Sequence, residues 1–185
     1  MGSRWSAAGL VALTAAMVVV VAQSAWSASG SGVTSRVSVA SDGRQGNFDS
    51  QTFRAPAMSA DGRFVAFESS ASNLVAGDTN GRYDVFVRDR LAGVTRRVSV
   101  GAGGQANNGS DSPAISADGR FVAFYSDASN LVAGDTNGRS DVFVRDRLAG
   151  VTRRVSVGAG GQANSESFGP AISADGRFVA FDSSA

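Results

Sequence analysis

The sequence predicts an all-β fold, an incomplete β-propeller of four-stranded antiparallel blades, with about two full blades and part-blades at each end. Three observations predict it. Asp61, Asp118 and Asp175 are spaced by 57 residues, and from Ala60 to Asn107 only three of 48 positions change in the next copy. Glu68 becomes Tyr125, Ser70 becomes Asp127 and Tyr83 becomes Ser140. A fixed period of this size marks a repeat architecture. Each copy is also a series of short β-type segments divided by Gly- and Asp-rich turns, with no helical period beyond the N-terminal segment. Finally, the strand Arg120 to Ser126 is largely apolar on both faces, Phe121, Ala123 and Tyr125 on one and Val122 and Phe124 on the other. A sandwich strand keeps one face in water, whereas a blade lies between two neighbours. A β-solenoid is the alternative, disfavoured because its repeats are usually shorter.

In chain order, Met1 to Ser6 carries one Arg, Ala7 to Ala22 is apolar apart from Thr14, and small residues follow in A-Q-S-A-W-S-A-S-G. A basic start, a short apolar run and a small-residue exit describe a secretory signal peptide over residues 1–27, cleaved after Ser27 or alternatively after Ser24. An uncleaved anchor is the competing reading, since the run falls just short of the roughly 17–25 residues that span a bilayer. Export implies a secreted location, extracellular or periplasmic. Residues 28–32 form a Ser/Gly linker, and 33–185 carry the propeller repeats.

Residues 33–39, V-T-S-R-V-S-V, match V-T-R-R-V-S-V at Val94 to Val100 and are expected as a lone closing strand. Two blades follow, 55–100 and 112–157, then a part-blade at 169–185. In the second blade, Pro113 to Ser116 is a short first strand with Pro in the leading position, where a missing N–H is tolerated. Ala117-Asp118-Gly119 supplies tight-turn chemistry. Arg120 to Ser126 is the second strand, Asp141 to Arg147 the third and Val151 to Val157 the fourth. Closed propellers typically have 4–8 blades, so the chain reads as a fragment of a longer ring. Near-identical neighbouring copies also favour swapped strand pairing, and self-association is expected.

The chain of 185 residues has 17 basic residues, all Arg, against 16 acidic ones, with no Cys, His or Lys. Near-neutral charge leaves no footprint for nucleic acid or an anionic membrane surface. Absent Cys and His remove disulfides, thiolate nucleophiles, zinc-finger sites and the commonest general base. The loops D-T-N-G-R-Y-D at Asp78 to Asp84 and D-T-N-G-R-S-D at Asp135 to Asp141 are the one constellation that invites chemistry. Asp78, Asn80 and Asp84, with Asp135, Asn137 and Asp141, offer oxygen ligands suited to Ca²⁺. The preferred reading is turn geometry, with Asn-Gly in left-handed conformation and Asp78 bonding backbone N–H groups two residues on. Asp61, Asp118 and Asp175 recur before Gly, as a repeated turn demands, and are read as structural rather than catalytic. Leu74-Val75 and Leu131-Val132 are expected to fold back over the blade edge. One Arg of each pair, Arg96-Arg97 and Arg153-Arg154, is expected in solvent.

The phrase I-S-A-D-G-R-F-V-A-F, then D-V-F-V-R-D-R and T-R-R-V-S-V, resembles the TolB-like, WD-repeat-like family of bacterial propeller repeats over Val33 to Ala185. The resemblance implies a propeller fold and a binding or scaffolding role outside the cytoplasm. The α/β domain that precedes the TolB propeller has no counterpart here, and neither do the Trp-Asp and Gly-His signatures of true WD repeats. The expectation is therefore an exported, non-catalytic module for a protein or cell-envelope ligand, with no cofactor. A Ca²⁺-stabilised adhesion module and the accessory propeller of a longer hydrolase are the alternatives.

Overall fold

The computed structural model describes residues 33–50 and 55–185, and every described element is β. The predicted signal peptide and linker, 1–27 and 28–32, lie outside the described residues. Two four-stranded antiparallel sheets run in sequence order. The first contains β1 (Ala57–Met58), β2 (Phe64–Ser69), β3 (Asp84–Asp89) and β4 (Val94–Arg97). A two-residue hairpin of β5 (Val100–Gly101) and β6 (Gly104–Gln105) leads into the second sheet. That sheet comprises β7 (Ser110–Ile115), β8 (Phe121–Ser126), β9 (Asp141–Asp146) and β10 (Val151–Arg154). A second hairpin, β11 (Val157–Gly158) with β12 (Gly161–Gln162), precedes the paired strands β13 (Ser167–Ile172) and β14 (Val179–Ser183) of a third.

The sheets stack as blades. Both faces of the middle strands are covered: Ala66, Val85 and Val87 of the first blade join Phe124 and Phe143 of the second in one buried cluster. On the far face of the first blade, Phe67 and Phe86 pack with Leu74 and Val37. Each Phe pair is a cross-strand stack, with ring centroids 5.8 Å apart in the first blade and 6.0 Å in the second. Full burial of such a side chain contributes about 1.5–3 kcal/mol. Leu74 and Leu131 are buried, so both long loops do fold back over the blade edge.

Two backbone bonds tie successive blades at opposite ends of the strands. Ala60 N donates to Ala117 O at 2.9 Å, and Ala117 N donates to Ala174 O at 2.9 Å, linking the three Ala-Asp-Gly turns in series. At the other end, Ser110 N donates to Tyr83 O and Ser167 N to Ser140 O, each at 2.9 Å. The first strands of the second and third sheets, β7 and β13, are thus each bonded into the blade before them.

Three expectations are corrected in detail. The first strand of the second blade begins at Ser110, and Pro113 sits inside it. The ladder shifts register between Asp111 and Ala114, with Ser112 at φ 50° and Gly169 at φ 64° in the corresponding place. Such a bulge suspends the hydrogen-bonding pattern, which removes the penalty for a proline without an N–H. The fourth strand ends at Arg154, because Val155 and Ser156 leave the ladder before the small hairpin begins. Residues 33–39 form no strand; their β-structure is the single bridge Val39–Gln45, and the neighbouring β4 is met through side-chain bonds instead of a ladder, Thr95 Oγ1 donating to Val39 O at 2.5 Å.

Candidate functional site

The predicted loop residues do come together, around an arginine. Asp84 opens β3 in full burial, where its Oδ1 accepts from Ser99 Oγ at 2.5 Å. Its Oδ2 accepts from Asn80 Nδ2 at 3.1 Å, Arg97 Nη1 at 3.2 Å and Gln105 Nε2 at 3.3 Å. Asp78 lies 3.4 Å from the same guanidinium nitrogen. The second blade repeats the arrangement: Arg154 Nη1 is 3.1 Å from Asp135 and 3.2 Å from Asp141, and Asn137 donates to Asp141 at 2.9 Å. The guanidinium thus stands between the two carboxylates, at the position a shared cation would take. Burial raises the pKa of Asp78 and Asp135, with the neighbouring Asp84 charge adding for the first and Arg154 opposing it for the second. Among the described residues, no group of three or more acidic side chains has a geometry suited to a metal ion. The turn itself is made by Asn80, whose Oδ1 accepts from Arg82 N at 2.9 Å, and not by Asp78 as the sequence suggested. Arg96 and Arg153 are the exposed members of their pairs.

The Asp-Gly turns are structural in geometry. Ser59 Oγ donates to Asp61 Oδ1 at 2.6 Å, Arg63 N donates to the same oxygen at 3.0 Å, and Phe64 N donates back to Ser59 Oγ. The same three bonds recur at Asp118 and Asp175. In all three, the serine hydroxyl is the largest influence holding the carboxyl below its usual range, and the backbone N–H assists.

Differences between the copies have a location that sequence alone does not reveal. From Ala60 onward, the changed positions are Glu68, Ser70 and Tyr83 and their counterparts, then residues 108, 109, 111 and 112 and theirs. The ladder places them together: Asp111 pairs with Tyr125, Ser110 with Ser126, and Ser126 with Asp141. All lie at the end of the blades where the second strand runs into the long loop. The opposite end, with the Asp-Gly turns and the turns after the third strand, is the same in each copy apart from Met58, whose counterparts are Ile115 and Ile172.

At the junction of the first two blades, the divergent positions hold carboxyl groups. Glu68 is fully buried and its Oε2 accepts from Ser112 N at 2.9 Å. Asp111 is pushed up to about 7 by burial, by the charge of Glu68 and by that of Asp127. Its Oδ1 is buried without a hydrogen-bond partner. At the next junction the corresponding positions carry Tyr125 and Phe168, so an acidic pair gives way to an aromatic one. Glu166 enters there too, accepting from Ser140 N at 2.7 Å and pairing with Arg139 at 3.3 Å. These residues were missed because each looks unremarkable in its own strand; the signal was the disagreement between copies.

Sheets of four strands in sequence order, nested blade on blade, define an incomplete β-propeller. In fold the chain is similar to TolB from Acinetobacter baumannii, with 19% identity over 75% of this chain and 27% of that one and a TM-score of 0.45. It is also similar to the tricorn protease, at 17% identity, 70% and 11% coverage and a TM-score of 0.44. The β-propeller domain of the Trilobed protease from Pyrococcus furiosus matches at 16% identity, 74% and 34% coverage and a TM-score of 0.43. The chain spans about a quarter of the length of the Acinetobacter TolB. No protein-family model matches the sequence, and no curated protein matches it.

Proposed function

We propose that this chain is an exported, non-catalytic propeller module that binds a protein or cell-envelope ligand through the divergent end of its blades. The observation that carries the reading is the confinement of all inter-copy differences from Ala60 onward to that end. Residues that only hold a blade together face the same demands in every copy and stay the same. Residues that meet an asymmetric ligand face a different demand in each. Absence of Cys, His and Lys supports binding over catalysis. The Asp78–Arg97–Asp84 cluster and its Asp135–Arg154–Asp141 copy serve the fold in this reading, since the guanidinium already stands between the carboxylates and offsets one of their two charges. Calorimetric titration with millimolar Ca²⁺ is then expected to release no heat and leave the melting temperature unchanged; a saturable shift would assign those loops to metal.

The test exchanges residues for their own counterparts, which the fold already accommodates. Binding of the full chain to isolated bacterial envelope fractions is measured beside a Tyr83→Ser, Asp127→Ser variant and a control, Arg90→Gln, at the opposite end. At least a tenfold loss confined to the first variant is expected. Undiminished binding by that variant, or equal loss in both, would overturn the reading.

A further inference from the structure

A second feature stands apart from the divergent end. A cleft of about 720 Å³ opens between the first two blades, with Phe64, Val98 and Leu148 among its apolar walls and five arginines at its edges. Two of the five are already neutralised. Arg97 lies between Asp78 and Asp84, and Arg120 forks onto Asp146 with a shortest contact of 2.6 Å.

Arg96, Arg145 and Arg147 make no ion pair among the described residues. Arg145 is half-buried, with only neutral acceptors: Thr152 Oγ1 at 3.2 Å and Val100 O at 3.4 Å. Arg147 donates to Gly119 O and lies over the Phe64 ring, 4.4 Å from its centroid. Burial is the largest influence on both, pulling each guanidinium pKa down. Arg97 and Arg154, also half-buried, each have two carboxylates beside them, whereas Arg88, the first-blade counterpart of Arg145, likewise has only neutral acceptors, Ala40 O and Thr95 Oγ1. Here the cleft leaves three cations, two of them partly withdrawn from water, with no carboxylate at ion-pair distance among the described residues, while Asp89 and Asp118 act on Arg147 and Asp146 on Arg145 from farther away. Its one lining carboxylate, Asp118, is held in its charged form by the neutral donors Ser116 Oγ and Arg120 N, and it offsets part of the positive charge without pairing with any of the three.

We propose that this interblade cleft is an oxyanion site, which takes a phosphate or sulfate group between Arg96 and the Arg145–Arg147 pair. Guanidinium forks match the geometry of such groups bidentately, and charge-assisted bonds in a partly desolvated site are stronger than exposed ones. The apolar wall formed by Leu148, which is 80% exposed, and Val98 leaves room for a compact organic body on the anion.

The full chain is titrated with inorganic phosphate, inorganic sulfate and phenyl phosphate at constant ionic strength set by sodium chloride. Binding is followed by calorimetry and by melting temperature. Saturable binding of at least one oxyanion is expected, weakened about tenfold in Arg96→Gln and further in Arg96→Glu. Arg96 is exposed, so these variants keep the fold, which far-UV circular dichroism checks. Arg147→Gln should weaken binding similarly. Tighter binding of phenyl phosphate than of inorganic phosphate supports the apolar wall as part of the site. No saturable response beyond chloride, or equal affinity in wild type and both Arg96 variants, would overturn the proposal.

Discussion

Asp111 carries the clearest pH dependence at the scale of single residues. Its folded-state pKa of about 7 lies above the ordinary 3.8, so the folded chain holds a proton that the unfolded chain releases. Its contribution is complete below about pH 3.8 and is lost as pH rises towards 7. Asp78 and Asp135, also raised, act in the same direction. Asp89, lowered to about 2 by Arg63, opposes them, as do Asp42, Asp61, Asp118, Asp146, Glu166 and Asp175, all held below their usual range; their contribution grows until the unfolded carboxylates are ionised, at about pH 5, and is constant above it. Melting temperature is therefore expected to fall between about pH 5 and 7, and Asp111→Asn should flatten that decline. A wild-type profile that rises across the window would contradict the assignment. Gly119 offers a second test. A Cβ there would lie 2.2 Å from Phe64 Cδ2 at φ +72°, whereas Gly138, at φ +63°, has open space around it. Gly119→Ala should cost about 2–4 kcal/mol by denaturant unfolding, and Gly138→Ala about 1 kcal/mol. Equal losses would mean that the ring does not seat on the turn.

The informative unit at the scale of elements is the loop between second and third strands. Asn-Gly and the two flanking Asp were visible in sequence; the arginine that joins them, 13 residues beyond Asp84 at the end of the next strand, was not. Strand pairing brings it there: Phe86 lies opposite Arg97, so the guanidinium reaches the start of β3. Replacing Arg97 with Met should leave two buried carboxylates facing each other and cost about 3–5 kcal/mol. The double variant that also changes Asp84 to Asn should recover part of it, as a double-mutant cycle would show. Blade composition and strand order were legible, because β-branched and aromatic runs between Asp-Gly and Leu-Ala-Gly turns admit few pairings. The bulge at Ser112 and the separate small hairpins were not, since both depend on where the neighbouring blade lies and not on local propensity.

For the whole molecule, stacking decides behaviour. Phe168 and Phe178 of the last sheet are 41% and 67% exposed, and β14 pairs only with β13 among the described residues. An unpaired edge beside apolar surface, in a chain whose other blades contain its complement, favours association. Light-scattering chromatography of the isolated chain is expected to give a mass above the monomer, decreasing in Phe178→Asp. A sharp monomer with cooperative melting would refute that expectation. The same stacking creates the two candidate sites: one end, where each junction has its own residues, and one cleft, where arginines from two blades converge.

The sequence by itself determined the repeat, the turns and the two-faced burial of the middle strands. Those features depend on spacing within a single copy, and a 57-residue period states them repeatedly. Only the tertiary structure decided that Glu68 and Asp111 meet, that Arg97 takes the place of a cation, and that three unpaired arginines share a cleft. Each of these joins residues from different strands or different blades, and their proximity is set by register and by blade-on-blade packing, which no local pattern encodes.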